Sequence, residues 1–226
     1  MILSSHEVRW FFRGAVDQQE GLRKWVESIS PIERDTGIAV PAEWEGRLNG
    51  RSDLYLIVPE HVDMGIKWRE GQLQIKGLQC ALGSHVFAGG RQGRVERWIK
   101  WSYKGEAIDQ AFAGWFSKAS GAGPRVIEVH KTRCLRKARL DPQTGKAREV
   151  SPAEHIERGC ALEVSDLKVG TDSYCSVAFE GFPDDSAMHT DFSRFVNAFL
   201  EELPDIPISS ANSMGYPAWL MSLATT

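Results

Sequence analysis

The stretch RSDLYLIVPEHVDMGIKWREGQLQIKG, residues 51–77, decides how this chain is read. Three short runs of alternating character predict three consecutive strands, because successive side chains of a strand point to opposite faces. Asp53 and Tyr55 share a face of the first, Lys67 and Arg69 of the second, and Gln74 and Lys76 of the third. The opposite faces are apolar: Leu54 and Leu56, Ile66 and Trp68, Leu73 and Ile75. An open sheet turns such charged faces to water. A closed sheet turns them inward, around an anionic ligand.

The same alternation recurs on either side. Between His6 and Arg13, Glu7, Arg9 and Phe11 oppose Val8, Trp10 and Phe12. In Arg94–Tyr103, Glu96, Trp98 and Lys100 oppose Val95, Ile99 and Trp101. Arg125–Lys137 carries Ile127, Val129, Lys131, Arg133 and Leu135 on one face, with a mid-strand change of polarity that predicts a bulge. Cys160–Lys168 presents Glu163 against Leu162 and Val164, and Ser173–Phe182 presents Glu180 on the face opposite Phe179. DPQTGK at 141–146 reads as a hairpin turn.

Helices are predicted where apolar residues recur at helical spacing. Asp17 caps one through Leu22, Trp25, Val26 and Ile29, ended by Pro31. A second lies in Gly105–Ala119, and an amphipathic third runs from Thr190 to Leu203. The glycine-rich stretch Ala81–Gly93 reads as a loop. The tail 204–226 has an apolar end and is expected to pack on the body. One domain over residues 1–226, with its core at about 5–203, is the simplest organisation.

Bulk properties narrow the function classes. The 226 residues are 42% hydrophobic and 25% charged, with a net charge of −3. That composition fits a globular protein and provides no overall basicity for duplex nucleic acid or an anionic membrane. Neither a signal peptide nor an apolar span is apparent. The four cysteines form no CxxC pair, so a cytoplasmic setting with free thiols is expected. The six histidines show no ligand spacing. Gly89-Gly90 lacks the lysine of a P-loop, and no G-x-S-x-G is present.

Taken in order, the motifs resemble the CYTH domains of the triphosphate tunnel metalloenzymes. That family opens on a Glu-x-Glu-x-Lys strand and continues with D-x-Y, R-x-R and L-x-[IL]-K-G strands. A Glu strand, a Lys-x-Arg strand, two acidic strands and a helix follow. This chain has Glu7-Val8-Arg9-Trp10-Phe11, Asp53-Leu54-Tyr55, Lys67-Trp68-Arg69 and Leu73-Gln74-Ile75-Lys76-Gly77, then Glu96, Lys131-Thr132-Arg133, Glu163 and Glu180. The resemblance spans residues 7–203.

It implies an α+β fold, an eight-stranded antiparallel β tunnel with flanking helices, that binds a triphosphate or other small phosphorylated polyanion. The phosphate-binding residues it implies are Arg9, Lys67, Arg69, Lys76, Lys131 and Arg133. Glu7, Glu163 and Glu180 are the implied ligands of Mg²⁺ or Mn²⁺. Asp53, Tyr55, Glu96 and Lys100 would also line the tunnel. Arginine and lysine suit phosphate, and carboxylates suit hard divalent ions. Arg9 and Phe11 stand where the signature has its second Glu and its Lys, which weakens the metal half and leaves the anion half. Metal-dependent triphosphate hydrolysis, a non-catalytic binding module on the same fold, and an unrelated β-rich domain with solvated charged faces remain the alternatives.

Overall fold

A computed structural model of the chain describes residues 2–14, 16–28, 47–106, 110, 112, 114, 125–141, 143–144, 146–201, 203, 206 and 208–224. Its strands are β1 (Ile2–Arg13), β2 (Arg47–Ile57), β3 (Met64–Arg69), β4 (Gln72–Val86), β5 (Gln92–Lys104), β6 (Arg125–Leu140), β7 (Ala147–Val150), β8 (Gly159–Val169) and β9 (Asp172–Phe182). Helix α1 (Val16–Ser28) follows β1, while α2 (Ser186–Leu200) and α3 (Tyr216–Ala224) follow β9. Eight strands close in the order β2-β3-β4-β5-β1-β9-β8-β6, with β6 returning to β2 and every pairing antiparallel. β7 extends the free length of β6 as a ninth strand. Closure satisfies backbone groups that an open sheet leaves at its edges.

The alternation read from sequence sorts two cores. Val8, Trp10 and Phe12 point out of the barrel and pack with Leu162, Val177 and Phe179 beneath α1 and α2. Trp10 is fully buried, edge-on to Phe87 at 6.1 Å and Phe179 at 6.4 Å, and its Nε1–H donates to the Gln92 carbonyl at 2.8 Å. A Cβ on Gly93 would stand 2.3 Å from the Trp10 ring, so β5 crosses this ring only with glycine there. Helix α2 buries Met188, Phe192, Phe195, Val196, Phe199 and Leu200, each contributing roughly 1.5–3 kcal/mol by leaving water.

The second core lies inside the barrel. Phe11, Tyr55, Ile57, Val129, Leu167 and Tyr174 cluster there with Trp219 and Leu220 of α3. Phe11 and Trp219 stack at 4.4 Å with planes 5° apart. The tail thus packs on the body as expected, and it does so by plugging one end of the barrel.

Several local expectations are corrected. Residues 81–86 continue β4, paired with β5 through Val86, rather than forming a loop; cross-strand bonds outweigh the local preference of Gly83. Residues 87–91 join β4 to β5, with Ala88–Gly90 a 3₁₀ turn in which Gly89 and Gly90 have positive φ. Strand β6 holds continuous register with β8 from His130 to Arg139; the irregularity lies on its β2 side, between Leu48 and Arg51. Helix α2 begins at Ser186, earlier than the apolar stripe indicates, because Asp185 caps it by accepting from the Met188 N–H at 2.8 Å. Helix α1 begins at Val16, one residue before the expected cap. Ile29, Pro31 and most of the helix expected at 105–119 lie outside the described residues. The 141–146 turn joins β6 to β7, with Asp141 accepting from the N–H groups of Gln143 and Thr144.

Candidate functional site

Barrel closure turns the charged faces inward, where they line a shared space rather than the outer surface. A cavity of about 340 Å³ occupies the interior above the apolar plug. Glu7 and Arg9 of β1, Lys67 and Arg69 of β3, and Lys76 of β4 all line it. Glu96 and Lys100 of β5, Lys131 and Arg133 of β6, Glu163 of β8 and Glu180 of β9 complete the charged wall. Tyr55 lines it too, while Asp53 is fully buried behind Lys67 and Arg51. The structure therefore assembles all the residues expected from the motifs around one space.

Glu163 is the hub of the interior. One carboxylate oxygen accepts from Lys131 Nζ at 2.8 Å and Arg9 Nη1 at 3.2 Å, the other from Arg133 Nη1 at 3.1 Å. Burial by itself would raise the Glu163 carboxyl, but Lys131, Arg9 and Arg133 outweigh it and hold the group well below the carboxylate range. Arg9 also donates to Ser176 Oγ at 3.2 Å and lies 5.3 Å above the Tyr216 ring. A guanidinium suits this position because it presents several donors in one plane.

Two further pairs cross the wall. Glu7 accepts from Lys76 and from Ser5 Oγ; burial opposes its ionisation, but Lys76 and Arg9 keep its carboxyl low. Asp53 accepts from Arg51 Nε at 3.1 Å and Lys67 Nζ at 3.4 Å. These bonds are longer than a strong charged hydrogen bond, and Lys67 feels it. Burial pushes its ammonium down to about 7 against Asp53, with Lys131, Arg69 and Arg51 repelling it further. Burial likewise lowers Lys131, to about 8, despite Glu163. Glu96 moves the other way: burial raises its carboxyl although the Trp98 Nε1–H donates to it at 3.0 Å.

Eight cationic side chains face or border the cavity, including Arg51, against five carboxylates. Counted with every group ionised among the described residues, that is an excess of three positive charges inside a protein whose formal net charge is −3, and the lowered Lys67 ammonium reduces it near pH 7. Such a local imbalance is costly unless an anion offsets it.

The carboxylates do not make a metal centre. Of the three expected ligands, Glu163 has both oxygens engaged by ammonium and guanidinium donors, and Glu7 has its Oε1 engaged by Lys76 and Ser5. Glu180 stands in register beside Glu7, but Lys76 lies between them electrostatically, and a divalent ion would meet Arg9 as well. Among the described residues no group of three or more His, Cys, Asp or Glu is placed to hold a metal. The residues present thus do not fit Mg²⁺ or Mn²⁺.

Sequence reasoning missed Arg51 and Tyr216. Arg51 was legible, because it shares parity with Asp53 and Tyr55. Tyr216 was not, since it enters from the tail, where no strand alternation points to the barrel; it stacks on Tyr55 at 5.0 Å.

Among the described residues, no helix is long and apolar enough to cross a membrane. None of the four cysteines is in a disulfide; three are buried and Cys80 is exposed. No protein-family model matches the chain, and no curated protein matches it. Among solved structures, a conserved hypothetical protein from Pyrococcus furiosus is similar at 12% identity and a TM-score of 0.45, covering 95% of this chain and 98% of that one. A putative uncharacterized protein from Mycobacterium tuberculosis aligns at 11% identity and a TM-score of 0.12, over 83% of this chain and 69% of that one.

Proposed function

We propose that the protein binds a triphosphate or other small phosphorylated polyanion inside its barrel, as a binding module rather than a metal-dependent hydrolase. The observation that carries this reading is the formal excess of three cations lining one cavity of a net-negative protein. Arg69, Lys67 and Lys100 have the fewest or weakest carboxylate partners among the lining cations and are the first phosphate contacts. Arg9, Lys131 and Arg133 hold Glu163 and add field from the opposite wall. The likeness of the motif order to CYTH domains agrees with this ligand class. Arg9 at the second acidic position supports binding over catalysis, because it supplies in place of a metal the positive charge that phosphate needs.

Calorimetry with inorganic tripolyphosphate tests the reading. Binding to the folded protein is expected with metal chelated, together with a raised melting temperature. The double variant Lys67→Ala, Arg69→Ala should fold, by circular dichroism, yet lose that binding. Absence of heat and of thermal shift at millimolar tripolyphosphate would sink the proposal. Phosphate release that depends on Mg²⁺ or Mn²⁺ would instead establish the hydrolase reading.

A further inference from the structure

The cavity is not charged throughout. Where α3 closes the barrel, Ile57, Val58, Pro217, Leu220 and Met221 line it. Pro217 leans on Gly65 of β3, where an added Cβ would come within 3.1 Å, so the helix reaches the inner wall itself. Met221 and Val58 stay partly exposed, whereas Leu220 and Ile57 form the buried floor. The space therefore has a cationic side and a hydrocarbon side.

The rings that line it have faces already engaged. Tyr55 and Tyr216 stack on each other, Lys67 lies 5.7 Å from the Tyr55 ring and Arg9 5.3 Å from that of Tyr216. Trp98 has Lys76 at 6.0 Å, and a Cβ on Gly215 would stand 2.8 Å from its ring. Among the described residues, a planar base that stacks between aromatic faces finds no such slot. Flexible aliphatic groups need only apolar area.

We infer that the ligand is an organic phosphate with a saturated or isoprenoid-like hydrocarbon group, its phosphates among Arg69, Lys67 and Lys100 and its tail against Pro217, Leu220 and Met221. This rests on the anion-binding reading above and narrows it. The tail leaves water as it meets α3, and the phosphates retain the cations they would have with an inorganic ligand. Each buried CH₂ adds to affinity, so a ten-carbon tail only partly buried is expected to tighten binding at least about tenfold.

The test compares pyrophosphate with geranyl diphosphate by calorimetry, with ATP and geraniol as controls. Geranyl diphosphate should bind at least tenfold more tightly than pyrophosphate, ATP should show no such gain, and geraniol alone should not bind. Met221→Gln, which adds no charge to the cavity, should reduce the gain, and Met221→Leu should keep it. Equal affinity for pyrophosphate and geranyl diphosphate overturns the inference but leaves anion binding intact. A comparable gain with ATP overturns it in favour of a nucleotide. If neither diphosphate binds, the anion-binding reading fails and this inference with it. A gain that survives undiminished in Met221→Gln also counts against it, since the tail would then not lie against α3.

Discussion

Arg9 Nη1 lies 3.2 Å from Glu163 Oε1, joining β1 to β8 across the intervening β9. The bond spans the lumen side of three strands, so a contact between two side chains also braces the barrel wall. Glu163 accepts Lys131 and Arg133 as well, and removing its charge leaves three cations together with no counter-ion.

Glu163→Gln is therefore expected to destabilise the protein by about 3–5 kcal/mol in urea unfolding, the usual cost of breaking a buried pair from one side. Tripolyphosphate should restore part of the loss, because it supplies the missing negative charge. The wild-type carboxyl is held low when folded, so its contribution is present above the ordinary carboxylate pKa and lost as pH falls below it. A variant as stable as wild type without ligand would contradict the hub role.

The plug has its own test. Trp219 stacks on Phe11 and meets Tyr174 edge-on at 5.5 Å. Trp219→Ala is expected to cost about 3–5 kcal/mol by leaving a cavity among these rings. A loss below about 1 kcal/mol in chemical denaturation would mean that α3 contributes little to the inner core.

Lys67 gives stability a pH dependence. Its pKa is about 7 in the folded protein and near its ordinary value of 10.5 when unfolded. Above pH 7 the unfolded chain therefore binds more protons, and stability rises with pH. Lys131, at about 8, adds to this from higher pH. Cys175, pushed up to about 12, acts oppositely as unfolded thiols ionise near their ordinary value of 9.0. The rise should thus be read between pH 7 and about 8.5, as an increasing urea midpoint whose slope falls in Lys67→Met. Tripolyphosphate affinity should decrease over the same interval, with protons taken up on binding. A flat or falling midpoint would show that Lys67 stays charged without ligand.

Chelation separates this cavity from a metal centre. With Glu7 and Glu163 committed to Lys76, Arg9, Lys131 and Arg133, tripolyphosphate affinity should be the same within about threefold in EDTA and in millimolar Mg²⁺, after correction for Mg²⁺ bound by the ligand itself. A tenfold or larger gain with Mg²⁺ would show that the carboxylates release their cations to a metal.

Alternation along the strands already contained much of the site. Glu7 and Arg9, Lys67 and Arg69, Lys131 and Arg133 keep their parity because period two is a local property of an extended chain. The outer core was legible for the same reason, from Val8, Trp10 and Phe12. Residues 81–86 were misread because Gly83 carries a turn signal that the ladder to β5 overrides. The start of α2 was misread because Asp185, a capping residue, precedes the apolar stripe.

By itself, then, the sequence determined which residues share a face, and hence which charges travel together. It did not determine whether those faces meet water or one another. That was decided by the β2–β6 pairing, which joins residues from 68 (Ile57 and Arg125) to 87 (Arg47 and Cys134) positions apart and closes the ring. Closure turned solvated charges into a lumen with an excess of three cations. The fate of Glu163 was also tertiary: its three cations come from β1 and β6, which flank β8 in the order β1-β9-β8-β6, and only that long-range strand pairing brings both within hydrogen-bond reach. The hydrocarbon side of the cavity belongs to α3, a tail segment with no strand period, whose place inside the barrel follows from packing Trp219 on Phe11. The opening stretch 51–77 supplied three of the eight walls, and the tertiary structure made them face an interior.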